Sequence, residues 1–162
     1  MQADVAPPPT VASVDLDRYA GRWFEIARFP NRFQRQCVSD VTATYTLLAD
    51  ARVEVVNRCR RDDGTITEAA GVARSVSPGS NARLEVRFAP AWLSFLPFVW
   101  GDYWVIDLSD DYTTAVVGSP DRRYLWLLSR TPAVTEPVYL RLVAAADRAG
   151  YPVDRLVRTR HD

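Results

Sequence analysis

The stretch Val41-Thr42-Ala43-Thr44-Tyr45-Thr46-Leu47 decides the fold. Its apolar residues share one parity and its threonines the other, the two-residue period of a β-strand with one buried face. Just downstream, Val53 and Val55 alternate with Arg52 and Glu54, and further on Leu84, Val86 and Phe88 alternate with Arg83, Glu85 and Arg87. Extended in both directions, the pattern predicts eight strands, at 22–29, 38–48, 52–60, 66–76, 82–89, 102–108, 113–118 and 123–130. The fourth has the poorest packing residues, Ala69, Ala70 and Gly71. Turn-forming clusters separate the strands: Asp62-Asp63-Gly64, Ser77-Pro78-Gly79-Ser80-Asn81, Ser109-Asp110-Asp111 and Gly118-Ser119-Pro120-Asp121.

One helix follows. Thr135 is its expected cap, Glu136 complements the positive end, and Pro137 sits in the first turn where a missing N–H is harmless. Tyr139, Leu142, Val143 and Ala146 form the apolar stripe, and Gly150-Tyr151-Pro152 ends it. Eight antiparallel strands with short connections and one amphipathic helix predict an all-β, closed, eight-stranded up-and-down barrel with the helix packed outside. Closure removes the edges that an open eight-stranded sheet would expose. An open sandwich is the alternative.

Composition narrows the chemistry. The 162 residues are 48% hydrophobic and 25% charged, suited to a single domain with a sizeable core. Charges cancel, 20 against 20, so electrostatics give no reason to expect nucleic acid as partner. Every basic residue is arginine, which removes lysine Schiff bases and P-loop chemistry. The one histidine, His161, is next to last, so a catalytic triad or a histidine-built metal site would hang from a tail expected to fray. No metal or cofactor is expected.

Residues 1–13, with Ala6-Pro7-Pro8-Pro9-Thr10, read as a flexible tether ahead of a single domain at 14–162. Met1-Gln2-Ala3-Asp4 lacks the basic start and apolar run of a signal peptide. The longest apolar run, Phe88 to Trp100, is interrupted by Pro90, Ser94 and Pro97 and is too short for a spanning helix. Cys37 and Cys59 are free thiols or one disulfide. Flanking a predicted hairpin that turns near Ala49-Asp50, they fall opposite one another, which favours the disulfide and an oxidising compartment.

The segment Asp17-Arg18-Tyr19-Ala20-Gly21-Arg22-Trp23-Phe24-Glu25 resembles the Gly-X-Trp opening of the lipocalins. Val41–Tyr45, Tyr103-Trp104-Val105-Ile106, Asp111-Tyr112 and Tyr124–Pro132 extend the resemblance in order and spacing over about residues 14–157. It is most similar to the bacterial outer-membrane lipocalins and the apolipoprotein D group. That resemblance implies non-catalytic binding and carriage of a fatty acid or lysophospholipid in the bacterial envelope, in the periplasm at the outer membrane. In such a meander Trp23, Tyr112 and Arg130 fall at one end with Gly21, and Arg130 can stack on Trp23 as a plug. These four are expected to be structural.

The ligand belongs at the opposite end. Parity from Trp23 sends Glu25, Ala27 and Phe29 inward, with Tyr45, Val55, Asn57, Phe88, Tyr103 and Val105 from other strands. Glu25 needs a partner in an apolar barrel, and Arg28, Arg58 or Arg74 is the expected one. Between the fifth and sixth strands, Trp92, Leu93, Phe95, Leu96, Phe98 and Trp100 are too apolar for a solvated loop. That loop folds into the mouth with Trp92 and Phe98 on the ligand, rests on a membrane, or joins two copies as a homodimer. A chain of about 14–16 carbons gives roughly 12 kcal/mol gross; an association cost of at least about 4 leaves low-micromolar affinity. The rival reading is a lipid- or pigment-modifying enzyme with Asp102, Asp107, Glu25 and Tyr103 as acid–base groups.

Overall fold

Alternation becomes a continuous ladder in the computed structural model, which describes residues 6–88 and 101–162. Eight strands form it: β1 (Gly21–Arg28), β2 (Ser39–Leu47), β3 (Val53–Arg60), β4 (Ile66–Ser75), β5 (Arg83–Phe88), β6 (Gly101–Leu108), β7 (Thr114–Gly118) and β8 (Leu125–Ser129). Each pairs antiparallel with the next, and β8 returns to β1. Contact of β1 with β2, from Gly21 opposite Tyr45 to Phe24 opposite Thr42, closes the barrel. The open sandwich is thereby set aside. The fourth strand, for all its small residues, is paired on both sides. The apolar segment of Trp92, Leu93, Phe95, Leu96, Phe98 and Trp100 lies outside the described residues.

Two apolar cores result from one alternation. One fills the barrel and includes Trp23, Tyr45, Val55, Val105 and Leu128. The other lies between the outer wall and helix α2 (Glu136–Arg148), where Val116, Leu125 and Leu127 meet Leu142 and Ala146. Thr135 occupies the cap position of α2, but its side chain makes no capping hydrogen bond. Tyr151, beyond the helix, donates its hydroxyl to the Ser119 carbonyl at 2.9 Å and fixes the helix exit to the wall.

Three features lie outside the eight-strand expectation. A single helical turn, α1 (Leu16–Tyr19), precedes β1 and is capped by the Asp15 carboxylate. A short strand, β9 (Val157–Arg158), adds to β1. It enters the seam where β1 and β2 diverge: Thr159 N–H donates to the Ile26 carbonyl and Asp40 N–H to the Arg160 carbonyl. The tail expected to fray is therefore part of the wall, and His161 Nε2 lies 2.6 Å from the Glu25 carbonyl oxygen. The tether reading also changes from Ala6 onward. Pro8 is fully buried, Val11 N–H donates to the Val105 carbonyl, and Val14 N–H donates to that of Ser80.

The disulfide joins Cys37 to Cys59, with Cα atoms 5.5 Å apart. It ties the segment before β2 to the far end of β3. No helix among the described residues is long and apolar enough to cross a membrane.

Candidate functional site

A floor closes one end of the barrel. Trp23 is 0% exposed, and the Arg130 guanidinium stands 3.9 Å from the centre of its ring. That guanidinium donates to the carbonyls of Tyr112, Arg22, Arg18 and Tyr19, so one side chain joins α1, β1 and the β6–β7 turn. Gly21 at φ +108° makes the approach possible, because a Cβ there would sit 3.1 Å from the guanidinium. Tyr112 adds a second tie, accepting from Asp15 N–H through its hydroxyl at 2.9 Å.

Above the floor, ladder register identifies the inner wall. Tyr45 opposes Val55 in the buried core, so the residues two further toward the mouth, Ala43 and Asn57, face inward too. Asn57 opposes Ala69, and Val55 opposes Gly71, which in turn opposes Phe88. These mouth-side residues are small except Phe88. A Cβ on Gly71 would collide with the Phe88 ring, which lies across that bare backbone. Ala69 is exposed and Phe88 is 40% exposed although both belong to the inward set. The wall is thus sealed at the floor and accessible toward the mouth. Within the floor half, the cavity bounded by Val14, Leu16, Tyr45 and Tyr103 is about 20 Å³, space for one water at most.

The first strand departs from simple parity. Glu25 opposes Leu128 and Ala27 opposes Leu127, so Ile26 is an extra residue and the strand bulges. Every side chain beyond it changes face. Ala27 and Phe29 therefore lie in the core beneath α2, not in the barrel, which corrects their expected inward direction. Arg28 takes the inward direction instead, opposite Trp126.

Glu25, 2% exposed, is fully engaged. Its carboxylate accepts from Arg28 at 3.1 Å, from the Gln34 amide at 3.0 Å and from the Thr159 hydroxyl. Arg28 also donates to the Gln34 and Cys37 carbonyls, and Gln34 accepts from the Trp126 indole at 2.9 Å. Of the three arginines weighed as partners, Arg58 pairs with Glu68 and Arg74 with Glu85. Sequence reasoning named Glu25 and Arg28 but missed Gln34, Trp126 and Thr159. The 3-10 turn at Arg32–Gln34, capped by Asn31, sets Gln34 in place, and no periodicity marks such a turn.

Between floor and mouth, Tyr19, Tyr45 and Tyr103 converge. Tyr19 and Tyr103 hydroxyl oxygens are 2.6 Å apart, and those of Tyr45 and Tyr103 2.8 Å. Burial pushes Tyr45 up to about 12, and Tyr19 and Tyr103 well above the usual tyrosine value, so all three stay neutral near pH 7. The four acid–base candidates are not gathered. Asp102 opposes Glu85, and Asp107 opposes Val116 of the helix-side core, while Glu25 is held by its ion pair. Burial pushes the Asp102 carboxyl up, with Glu85 and Asp121 adding repulsion. Among the described residues no cluster of three or more histidine, cysteine or acidic side chains is placed to hold a metal.

Arg28, Pro30, Asn31, Arg32, Arg35 and Val157 border a recess of about 460 Å³. It carries three arginines, Arg28, Arg32 and Arg35.

The family model described as a lipocalin-like domain matches residues 14–161. Over 151 residues the chain is 42% identical to temperature-induced lipocalin-1 of Arabidopsis thaliana, covering 92% of this chain and 80% of that protein. Over 155 residues it is 40% identical to the outer membrane lipoprotein Blc of Escherichia coli strain K12, covering 93% and 83%. The solved structure of insecticyanin from the tobacco hornworm Manduca sexta shares the fold at a TM-score of 0.74 and 19% identity, covering 99% and 86%. With the closed barrel, the plugged floor and these likenesses together, the chain belongs to the lipocalin family.

Proposed function

We propose that the protein binds and carries one hydrophobic molecule in the open half of its barrel, without transforming it. The observation that supports this reading is the gradient along the inner wall, from Trp23, sealed at the floor, to the accessible Ala69 and Phe88 toward the mouth. An apolar surface inside a barrel is stable when something apolar covers it. The floor-half cavity of about 20 Å³ is far too small for a chain of 14 or more carbons, so the ligand occupies the mouth half.

The ligand class proposed is a fatty acid or lysophospholipid, with its anionic head toward the recess bordered by Arg28, Arg32 and Arg35. Likeness to an outer membrane lipoprotein and the Cys37–Cys59 bond support a place in the bacterial envelope, on the periplasmic side. Segment 90–100, with Trp92 and Phe98 on the ligand or its aromatic residues on a membrane or second copy, belongs to the same proposal.

Titration of tryptophan fluorescence with hexadecanoic acid tests the reading, since Trp126 faces the site. Saturation at one ligand per chain with low-micromolar affinity is expected. An unchanged spectrum up to the critical micelle concentration would defeat it.

A further inference from the structure

The tyrosine trio has one more donor than it uses. Three hydroxyls carry three protons, and two hydroxyl–hydroxyl contacts consume two of them. Whichever way the bonds are oriented, one O–H has no acceptor among the described residues. A buried donor without an acceptor is costly, and native interiors rarely keep one. The trio stands at the boundary between the packed floor and the accessible wall. Toward the mouth, the next inward residue above Tyr45 is Ala43 and that above Tyr103 is Gly101, both small. Tyr103 itself stays half-buried, unlike Tyr19 and Tyr45.

We propose that this trio donates a hydrogen bond to a neutral oxygen at the buried end of the ligand. The inference rests on the carrier reading and adds chemistry to it: with the head group toward the recess of Arg28, Arg32 and Arg35, the favoured cargo carries a further carbonyl or hydroxyl group at its buried end. A plain methyl terminus would leave the donor unmatched. An anion is disfavoured for a different reason. One donor cannot replace the water around a carboxylate, and the neighbouring cation, Arg130, lies behind Trp23 with its N–H groups directed to four backbone carbonyls.

The test compares tetradecane with 2-tetradecanone, each competing against a bound fluorescent fatty-acid probe. They are measured on the wild type and on the triple variant Tyr19→Phe, Tyr45→Phe, Tyr103→Phe. Removing all three hydroxyls leaves no orphan partner, so the variant is expected to fold. The ketone should bind about fivefold more weakly to the variant, the worth of one net hydrogen bond, while tetradecane changes less than twofold. Equal changes for both probes would overturn the inference and leave the carrier reading intact. Failure of both probes to bind the wild type would instead overturn the carrier reading, and the inference with it; tetradecane binding as tightly as the ketone would overturn the inference alone. A second readout needs no variant: the infrared carbonyl stretch of ¹³C-labelled 2-tetradecanone should shift down on binding the wild type. An unshifted band would refute the hydrogen bond directly.

Discussion

The Thr159 hydroxyl donates to the Glu25 carboxylate, linking the C-terminal segment to the first barrel strand. Glu25 is also the acceptor for Arg28 and Gln34, so three stretches of chain meet on one buried carboxylate. The arrangement follows from the bulge at Ile26. By turning Arg28 inward beside Glu25, the bulge supplies the counter-charge that a buried carboxylate requires.

Removing that carboxylate takes the counter-charge from the partly buried Arg28 guanidinium and leaves the Gln34 and Thr159 donors without their acceptor. Glu25→Ala is expected to lower unfolding stability by about 3 kcal/mol, read from the denaturant midpoint at unchanged slope. Glu25→Gln keeps an acceptor for Arg28 and should lose roughly half as much.

Truncation after Leu156 tests the seam. It removes the acceptor of the Asp40 amide, the Arg160 carbonyl, and the Thr159 donor to Ile26. Hydrogen exchange at Asp40 should accelerate at least tenfold. The Trp23 indole N–H, which donates to the Tyr19 carbonyl at the opposite end, should keep its protection.

Reduction of Cys37–Cys59 releases a loop whose ends are 22 residues apart. The chain-entropy model gives a loss of about 3 kcal/mol, or roughly 6–12 °C in Tm for a domain of this size. Scanning calorimetry with and without reductant measures it. A Cys37→Ser, Cys59→Ser variant should match the reduced protein.

The buried tyrosines set an alkaline limit. Burial pushes Tyr45 up to about 12 in the fold against 10.0 for an ordinary tyrosine, and holds Tyr19 and Tyr103 well above that ordinary value too. The unfolded chain therefore releases these protons first as pH rises. The stability they contribute is whole below pH 10 and is lost from about 10 up through 12 and beyond. Absorbance at 295 nm should show the trio still protonated at pH 10.5, ionising only together with loss of the near-ultraviolet dichroism.

Alternation and turn residues made the barrel legible, because an inward side chain every second residue is a local property. Along β2, β3 and β5 the ladder keeps this two-residue period as far as Asn57 and Phe88. Ala27 and Phe29 lie in the core beneath the helix, against parity, because a bulge shifts the ladder without leaving a composition signal at Ile26. His161 departs from the frayed-tail expectation for a related cause. A two-residue strand that enters a seam has no periodicity of its own, and its acceptors lie more than 100 residues away. The tyrosine trio was half legible. Tyr45 and Tyr103 follow from parity, but Tyr19 reaches them from a helical turn that only Asp15 announces.

Occupancy of the mouth half is the central claim, and methyl chemical shifts test it most directly. In a titration with hexadecanoic acid, the Ala43 and Ala69 methyls of the inner wall should shift and saturate together. Those of Ala27 and Ala146, in the core beneath the helix, should stay in place. Shifts confined to Ala27 and Ala146, or none at Ala43 and Ala69 at saturating ligand, would contradict the account.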